Sequence, residues 1–149
     1  MSKIRITKEF RFESAHALLD YDGPCKNIHG HSYKMAVTLI GEPLTDTNSP
    51  KNGMVMDFGI LKQIVNDCIV KPFDHALVLN ADTKNVNSIE VKSLSEKLIL
   101  VKYQPSCENF LLDFAERIKN KLPDNVKLFS IRLDETSNSY AEWFASDNE

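Results

Sequence analysis

The chain has 149 residues, a length suited to one domain around one hydrophobic core. Its composition is 42% hydrophobic and 26% charged, with a formal net charge of -3. Because there is no basic run or arginine-rich stripe, the composition argues against a nucleic-acid or anionic-membrane surface and favours a small-molecule partner.

The sequence also indicates a compartment. The opening stretch MSKIRITKEF lacks the apolar core of a signal peptide, and nowhere do roughly 18 uncharged apolar residues run together. We therefore expect a cytoplasmic protein. The three cysteines, Cys25, Cys68 and Cys107, have no framework spacing, so we expect free thiols rather than disulfides.

The first two predicted elements are paired antiparallel strands. From Ile4 to His16 the even positions are largely apolar, which is typical of a strand with one buried face. After the turn-rich LDYDGPCKNIHG, the odd positions from His31 to Leu39 alternate in the same way and predict a second strand over about 31–40. The polar stretch GEPLTDTNSPKNG that follows is a predicted loop.

Two amphipathic helices are predicted next. Asp57 is a plausible N-cap for the first, whose apolar stripe includes Leu61 and Ile69 and which Pro72 should stop. The second helix follows Pro105-Ser106 and ends at Pro123. Residues 81–97 between them show no clean period, so we expect an irregular excursion, and the apolar LILVKY after it is compatible with a short strand.

Two more strands complete the chain. Phe129, Ile131, Leu133 and Glu135 share one face of a third predicted strand, and SYAEWFA gives a fourth after a short turn at TSN. The order ββααββ predicts an α+β fold in which the helices cover one face of an antiparallel sheet. No linker divides the chain, so we expect a single domain spanning residues 1–149.

The stretch CKNIHGHSY holds the most unusual local pattern. Two of the chain's four histidines, His29 and His31, lie two residues apart, so on a strand both imidazoles point to the same side, and we expect Gly30 to remove bulk between them. His16 ends the buried face of the first strand, and a hairpin can bring it opposite this pair. Three neutral imidazoles with one open position are typical of a catalytic zinc site. The alternative for each histidine alone is an ordinary core residue.

Three further positions are candidates for chemistry. Cys25 could be a fourth metal ligand, a buried bystander, or a reactive thiol that ionises readily beside a metal. In FDHALVLN, Asp74 can hold the imidazole of His75 in one tautomer for acid–base work, although a surface pair is the plainer interpretation. Glu135 ends an apolar strand face and is either a ligand anchor or a strand-end charge in water.

These motifs carry a resemblance over nearly the whole chain. Their order and approximate spacing resemble those of the 6-pyruvoyl-tetrahydropterin synthase and 6-carboxytetrahydropterin synthase family. The motifs are FESAH, CKNIHGHSY, MVMDFGILK, FDHALVLN, PSCENF and ETSNSYAEW.

The resemblance implies the tunnelling fold, with a four-stranded antiparallel sheet, two helices on one face, and three subunits closing a barrel that stacks as a homohexamer. It also implies that His16, His29 and His31 bind zinc and that Cys25, Asp74 and His75 transfer protons. Glu135 would anchor the pterin ring of the substrate, with pockets completed between subunits.

Within this family, the spacing C-x3-H-G-H is similar to that of the 6-carboxytetrahydropterin synthases of queuosine and deazapurine biosynthesis. The resemblance therefore implies a zinc-dependent lyase that converts 7,8-dihydroneopterin triphosphate to 6-carboxy-5,6,7,8-tetrahydropterin, acetaldehyde and triphosphate. The alternatives are a 6-pyruvoyl-tetrahydropterin synthase, which eliminates triphosphate from the same substrate, and a non-catalytic zinc- or pterin-binding module.

Overall fold

A computed structural model describes residues 2–149. Two strands begin the fold, β1 (Ile4–His16) and β2 (His29–Gly41), and they pair in register along their full length as an antiparallel hairpin. The prediction of this pair is confirmed, and β2 begins earlier than expected, so that His29 lies within the strand. The connection between the strands holds one 3-10 turn, Pro24–Lys26.

The remaining elements follow in chain order. They are helix α1 (Phe58–Val65), a π-helical segment (Asn66–Val70), helix α2 (Lys71–Phe73), strand β3 (Ala76–Asn80), helix α3 (Ile89–Leu94), strand β4 (Leu98–Val101), helix α4 (Cys107–Lys119), strand β5 (Val126–Thr136), strand β6 (Ser139–Phe144) and a 3-10 turn (Ala145–Asp147). None of the helices within residues 2–149 has the length and apolar character needed to cross a membrane.

The sheet has six strands in the order β4-β3-β1-β2-β5-β6. The expected four-stranded, wholly antiparallel sheet is therefore wrong in detail, because β3 pairs with the end of β1, and β4 with β3, in parallel. Parallel strands are usually covered on both faces and so read as continuous apolar runs rather than alternating ones. ALVLN in β3 is such a run, which is why a search for alternation missed it.

Both longer helices lie on one face of the sheet, as predicted. Asp57 caps α1 by accepting a hydrogen bond from the backbone of Gly59, and Ser106 caps α4 by accepting one from Asn109. The buried faces of α1 and α4 join one core with the inward side chains of β1, β2 and β5. This core includes Phe12 and the other rings that support the end of β1.

Two local predictions need correction. The first helical region does not stop before Pro72, because α1, the π-helical segment and α2 follow one another without a break and end at Phe73, one residue past the proline. The expected irregular excursion over 81–97 contains α3, which Ser88 caps through a hydrogen bond from Val91. Six residues are too few to display a helical period, so α3 escaped detection.

Candidate metal centre

Three imidazoles converge at the end of the β1–β2 hairpin. His16 is paired directly with His29 across the two strands, and His31 follows on the same face of β2. One ring nitrogen from each of His16, His29 and His31 lies within 4.8 Å of the others. The structure therefore brings together the three residues that the sequence singled out, and their role as metal ligands stays a prediction.

Backbone carbonyls set the orientation of two of the rings. Nδ1 of His16 donates to the carbonyl of Pro105 at 2.6 Å, and Nδ1 of His29 donates to that of Asn27 at 2.7 Å. With Nδ1 protonated, both Nε2 atoms present lone pairs, and these two atoms are 3.0 Å apart. Nε2 of His31 is buried and has no hydrogen-bond partner among residues 2–149. A cation among these nitrogens would satisfy all three, so the donor set fits a metal ion.

The protonation state also suits a metal. Burial lowers the pKa of His16 to about 4, with the neighbouring imidazoles adding to the effect and the Pro105 carbonyl opposing it. Burial likewise lowers the pKa of His31, against the opposing charge of Glu135. Both rings are therefore neutral near pH 7, which is the form that binds metal.

Gly30 does not make room between the imidazoles, contrary to expectation. It lies on the opposite face of β2 and lines a cavity of about 520 Å³ on that side. A Cβ at this position would meet only the carbonyl of Ser14 at 3.6 Å, an ordinary contact. The alternation of the strand alone is enough to place His29 and His31 side by side.

Cys25 lies in the 3-10 turn after β1 and is half-buried. It lines a cavity of about 170 Å³ together with His16, Cys107 and Glu135. Burial, with the charge of Glu135 adding to it, raises the pKa of Cys107 to about 12, so that thiol stays protonated. The role of Cys25 in proton transfer stays a prediction.

The Asp74–His75 pair is held against the sheet just before β3. Oδ1 of Asp74 accepts from the backbone N–H of Glu13 at 2.9 Å, and Oδ2 lies 3.0 Å from Nδ1 of His75. The bond from Glu13, more than the imidazole, lowers the pKa of Asp74. The carboxylate is thus ionised and fixes the imidazole in the tautomer with Nδ1 protonated.

His75 itself is presented to the outside. Its backbone has φ of 57°, a left-handed conformation that costs energy for a residue other than glycine. Its backbone N–H donates to the carbonyl of Glu13 at 2.6 Å, while its side chain is 78% exposed. His75 lines the larger cavity and Cys25 the smaller one, so the protomer presents the two predicted proton-transfer groups to different cavities.

Glu135 comes from β5 and approaches the centre from the side. Its Oε1 lies 3.7 Å from Nε2 of His31, and its side chain is 27% exposed. The carboxylate therefore faces both the imidazoles and the smaller cavity. This position is compatible with an anchor for a ligand lying beside the metal.

Sequence reasoning missed the hydrogen bonds that fix the segments around the centre. Gln104 exchanges two hydrogen bonds with the backbone of Leu19, at 2.8 and 2.7 Å, and the N–H of Leu18 donates to the carbonyl of Cys25 at 2.9 Å. The connection that carries Cys25 is therefore tied to the segment that carries the Pro105 carbonyl. The carbonyls of Cys25 and Pro105 accept through the backbone. Backbone acceptors leave no residue-type signal, so a motif search could not find these two contacts.

Comparisons with known proteins place the chain in a family and match its fold. The family described as 6-pyruvoyl tetrahydropterin synthase matches residues 5–146. A Haemophilus influenzae protein named 6-carboxy-5,6,7,8-tetrahydropterin synthase is 34% identical over 141 residues, covering 93% of this chain and 97% of the relative. A Rickettsia bellii protein of the same name is 29% identical over 141 residues, covering 93% and 99%. The structure of Plasmodium vivax 6-pyruvoyl tetrahydropterin synthase has a TM-score of 0.73 at 18% identity, covering 96% of this chain and 98% of that one.

Proposed function

This chain belongs to the 6-pyruvoyl tetrahydropterin synthase family, and we propose that it is a zinc-dependent 6-carboxytetrahydropterin synthase. It would convert 7,8-dihydroneopterin triphosphate to 6-carboxy-5,6,7,8-tetrahydropterin with release of acetaldehyde and triphosphate, as a step of queuosine or deazapurine biosynthesis. The names of its curated relatives support the carboxy product. The spacing C-x3-H-G-H supports it as well.

His16, His29 and His31 are the proposed zinc ligands. Their converging nitrogens would supply three ligands, and three imidazoles with one open position are the arrangement of a catalytic site. When bound, zinc would acidify the hydroxyl groups of the substrate side chain and stabilise negative charge that develops on them.

Cys25, Asp74 and His75 are the proposed proton-transfer groups. Cys25, as a thiolate, would take a proton from the substrate carbon next to the pterin ring. His75 would deliver or remove protons during carbon–carbon cleavage, with Asp74 holding its Nδ1–H at 3.0 Å. Because the protomer presents Cys25 and His75 to different cavities, their joint action requires a neighbouring subunit to complete the pocket.

Glu135 is the proposed anchor for the pterin. The guanidine-like edge of the ring offers two N–H donors side by side, which a carboxylate accepts as a charge-assisted pair. The position of Glu135 beside His31 supports this role, since a ring held there would extend its side chain toward the imidazoles.

We further propose a cytoplasmic enzyme whose residues 1–149 form one domain. It would assemble as a trimer or a homohexamer made of two trimers, and it would need neither nucleic acid nor a membrane. The edges of β1 and β6 that are unpaired within residues 2–149 support the assembly.

The observation that carries the proposal is the convergence of one ring nitrogen from each of His16, His29 and His31 within 4.8 Å of one another. The test is incubation of the purified, zinc-loaded protein with 7,8-dihydroneopterin triphosphate, followed by mass spectrometry of the pterin. We expect the carboxy product and acetaldehyde.

Two other results would replace the proposal. A pyruvoyl-tetrahydropterin product would identify the triphosphate-eliminating enzyme, the reaction for which the family is named. Stoichiometric zinc without turnover would indicate a non-catalytic binding module in which Cys25 is structural.

A further inference from the structure

The hydroxyl of Tyr33 is a buried hydrogen-bond donor without a partner in the part of the chain that the structure describes. Tyr33 is 1% exposed, and its hydroxyl has no hydrogen-bond partner among residues 2–149. Leaving a buried hydroxyl unpaired costs free energy, and most native structures avoid it. The residue lies on the same face of β2 as His29 and His31, next to the centre.

Surrounding rings fix where this hydroxyl is. Phe12 stacks on the ring of Tyr33, with centroids 5.0 Å apart and planes 13° from parallel. Phe110 meets it edge-on at 6.1 Å, and the imidazole of His31 does so at 5.5 Å. Since the two phenyl rings carry no acceptor and the packing prevents rotation to solvent, the hydroxyl keeps its position.

Glu135 is the neighbouring acceptor. The antiparallel register that pairs Lys34 with Asp134 sets Tyr33 beside Glu135 on the adjoining strand. Burial raises the pKa of Tyr33, and the negative charge of Glu135 raises it further, as expected for a carboxylate close to the phenol. Oε1 of the same carboxylate lies 3.7 Å from Nε2 of His31. If that Nε2 binds a metal, it carries no proton and cannot donate a hydrogen bond to Glu135.

We infer that Tyr33 is a positioning residue for Glu135, and that its hydroxyl donates to the Glu135 carboxylate when a pterin is bound. The bond would hold one carboxylate oxygen in place so that the carboxylate plane meets the two N–H donors of the ring. This inference rests on the proposed function. It adds a residue that acts on substrate binding through Glu135 and takes no part in proton transfer.

Tyr33→Phe tests the inference because it removes only the hydroxyl. We expect the free protein to unfold at an equal or higher temperature, since an unpaired polar group is lost. We expect KM for 7,8-dihydroneopterin triphosphate and Kd for neopterin to rise about tenfold, the value of one hydrogen bond to a charged group. The value of kcat should stay unchanged, and the change in KM should largely vanish in a Glu135→Ala background, which lacks the acceptor.

Tyr103→Phe is the matched control. The hydroxyl of Tyr103 donates to Asp113 at 2.5 Å, away from the imidazoles, so its removal should lower stability and leave KM and Kd unchanged. A loss of stability in Tyr33→Phe, an unchanged KM, or additive effects of Tyr33→Phe and Glu135→Ala would each overturn the inference. A wild-type protein that neither binds nor converts pterins would instead overturn the proposed function, and the role of Tyr33 with it.

Discussion

Groups of the protein itself orient the three imidazoles before any metal binds. Two backbone carbonyls direct the protons of His16 and His29 to Nδ1, and burial keeps the rings of His16 and His31 neutral. The rings of His16 and Phe110 stack at 6.0 Å, which further restricts rotation. Little reorganisation is then needed when a metal binds, a condition that favours tight binding.

The first prediction at this scale concerns the metal. Changing His29 or His31 to Ala should remove most of the bound zinc and all turnover, because two remaining imidazoles do not make a stable site. Elemental analysis of the purified variants measures this directly. The control is His75→Ala, which should keep its zinc while losing activity. Full zinc occupancy in both ligand variants would rule out the assignment.

The second concerns Cys25. Cys25→Ala should leave zinc content, assembly and pterin binding nearly intact while the rate falls by roughly 100-fold or more, the range for loss of general-base catalysis. Cys68→Ala serves as the control, since burial raises the pKa of Cys68 and it lies among the core contacts. Steady-state kinetics with zinc analysis makes the comparison. Wild-type turnover in Cys25→Ala would show that the thiol is not the base.

At the scale of elements, the sequence predicts well those strands and helices that bury only one face. Strands β1, β2, β5 and β6 alternate between apolar and polar side chains, and α1 and α4 carry long apolar stripes with capping residues. These patterns can be recognised in the sequence. β3 and β4 lack alternation and α3 is too short for a period, and these are the elements that sequence reasoning missed or left open. The elements with recognisable patterns carry the imidazoles and Glu135. This explains why these site residues could be singled out from the sequence while the strand order of the sheet could not.

Helix capping gives the prediction at this scale. The hydroxyl of Ser106 accepts from the backbone N–H of Asn109 at 3.2 Å, so Ser106→Ala should lower the free energy of unfolding by about 1 kcal/mol. Ser88→Ala removes the equivalent cap of α3, where Ile89 and Leu94 are 83% and 81% exposed. That helix can open locally, so the global effect should be smaller. Urea titrations compare the two, and equal losses would contradict this account.

At the scale of the whole molecule, β1 and β6 each leave a strand edge unpaired within residues 2–149, and β4 forms the short outer edge of the sheet. β3 covers only Ser14–His16 of β1, so within residues 2–149 the stretch 4–13 is paired on one side alone. At the other end of the sheet, β6 pairs only with β5. Long unpaired edges invite association with further strands. These edges could not be located from sequence, because edge position depends on strand order.

Assembly is the prediction that follows. If β6 of one subunit pairs with β1 of the next, three subunits close a barrel in which the unpaired edges of β1 and β6 are covered. Light scattering at micromolar concentration should therefore give a mass that is a multiple of three subunits. A stable monomer with full activity would contradict both the closed barrel and the expectation that each pocket is completed by a neighbour.

The hairpin that holds all three imidazoles has a consequence for the order of events during synthesis. Contacts between residues close in sequence form first, because closing a short loop loses little chain entropy. Residues 4–41 leave the ribosome before the helices and the other strands exist, so the ligand set is available early. The Pro105 carbonyl, which fixes the tautomer of His16, arrives much later. The centre is therefore assembled in two stages: the three imidazoles are gathered first, and the ring of His16 is oriented once the second half of the chain has folded.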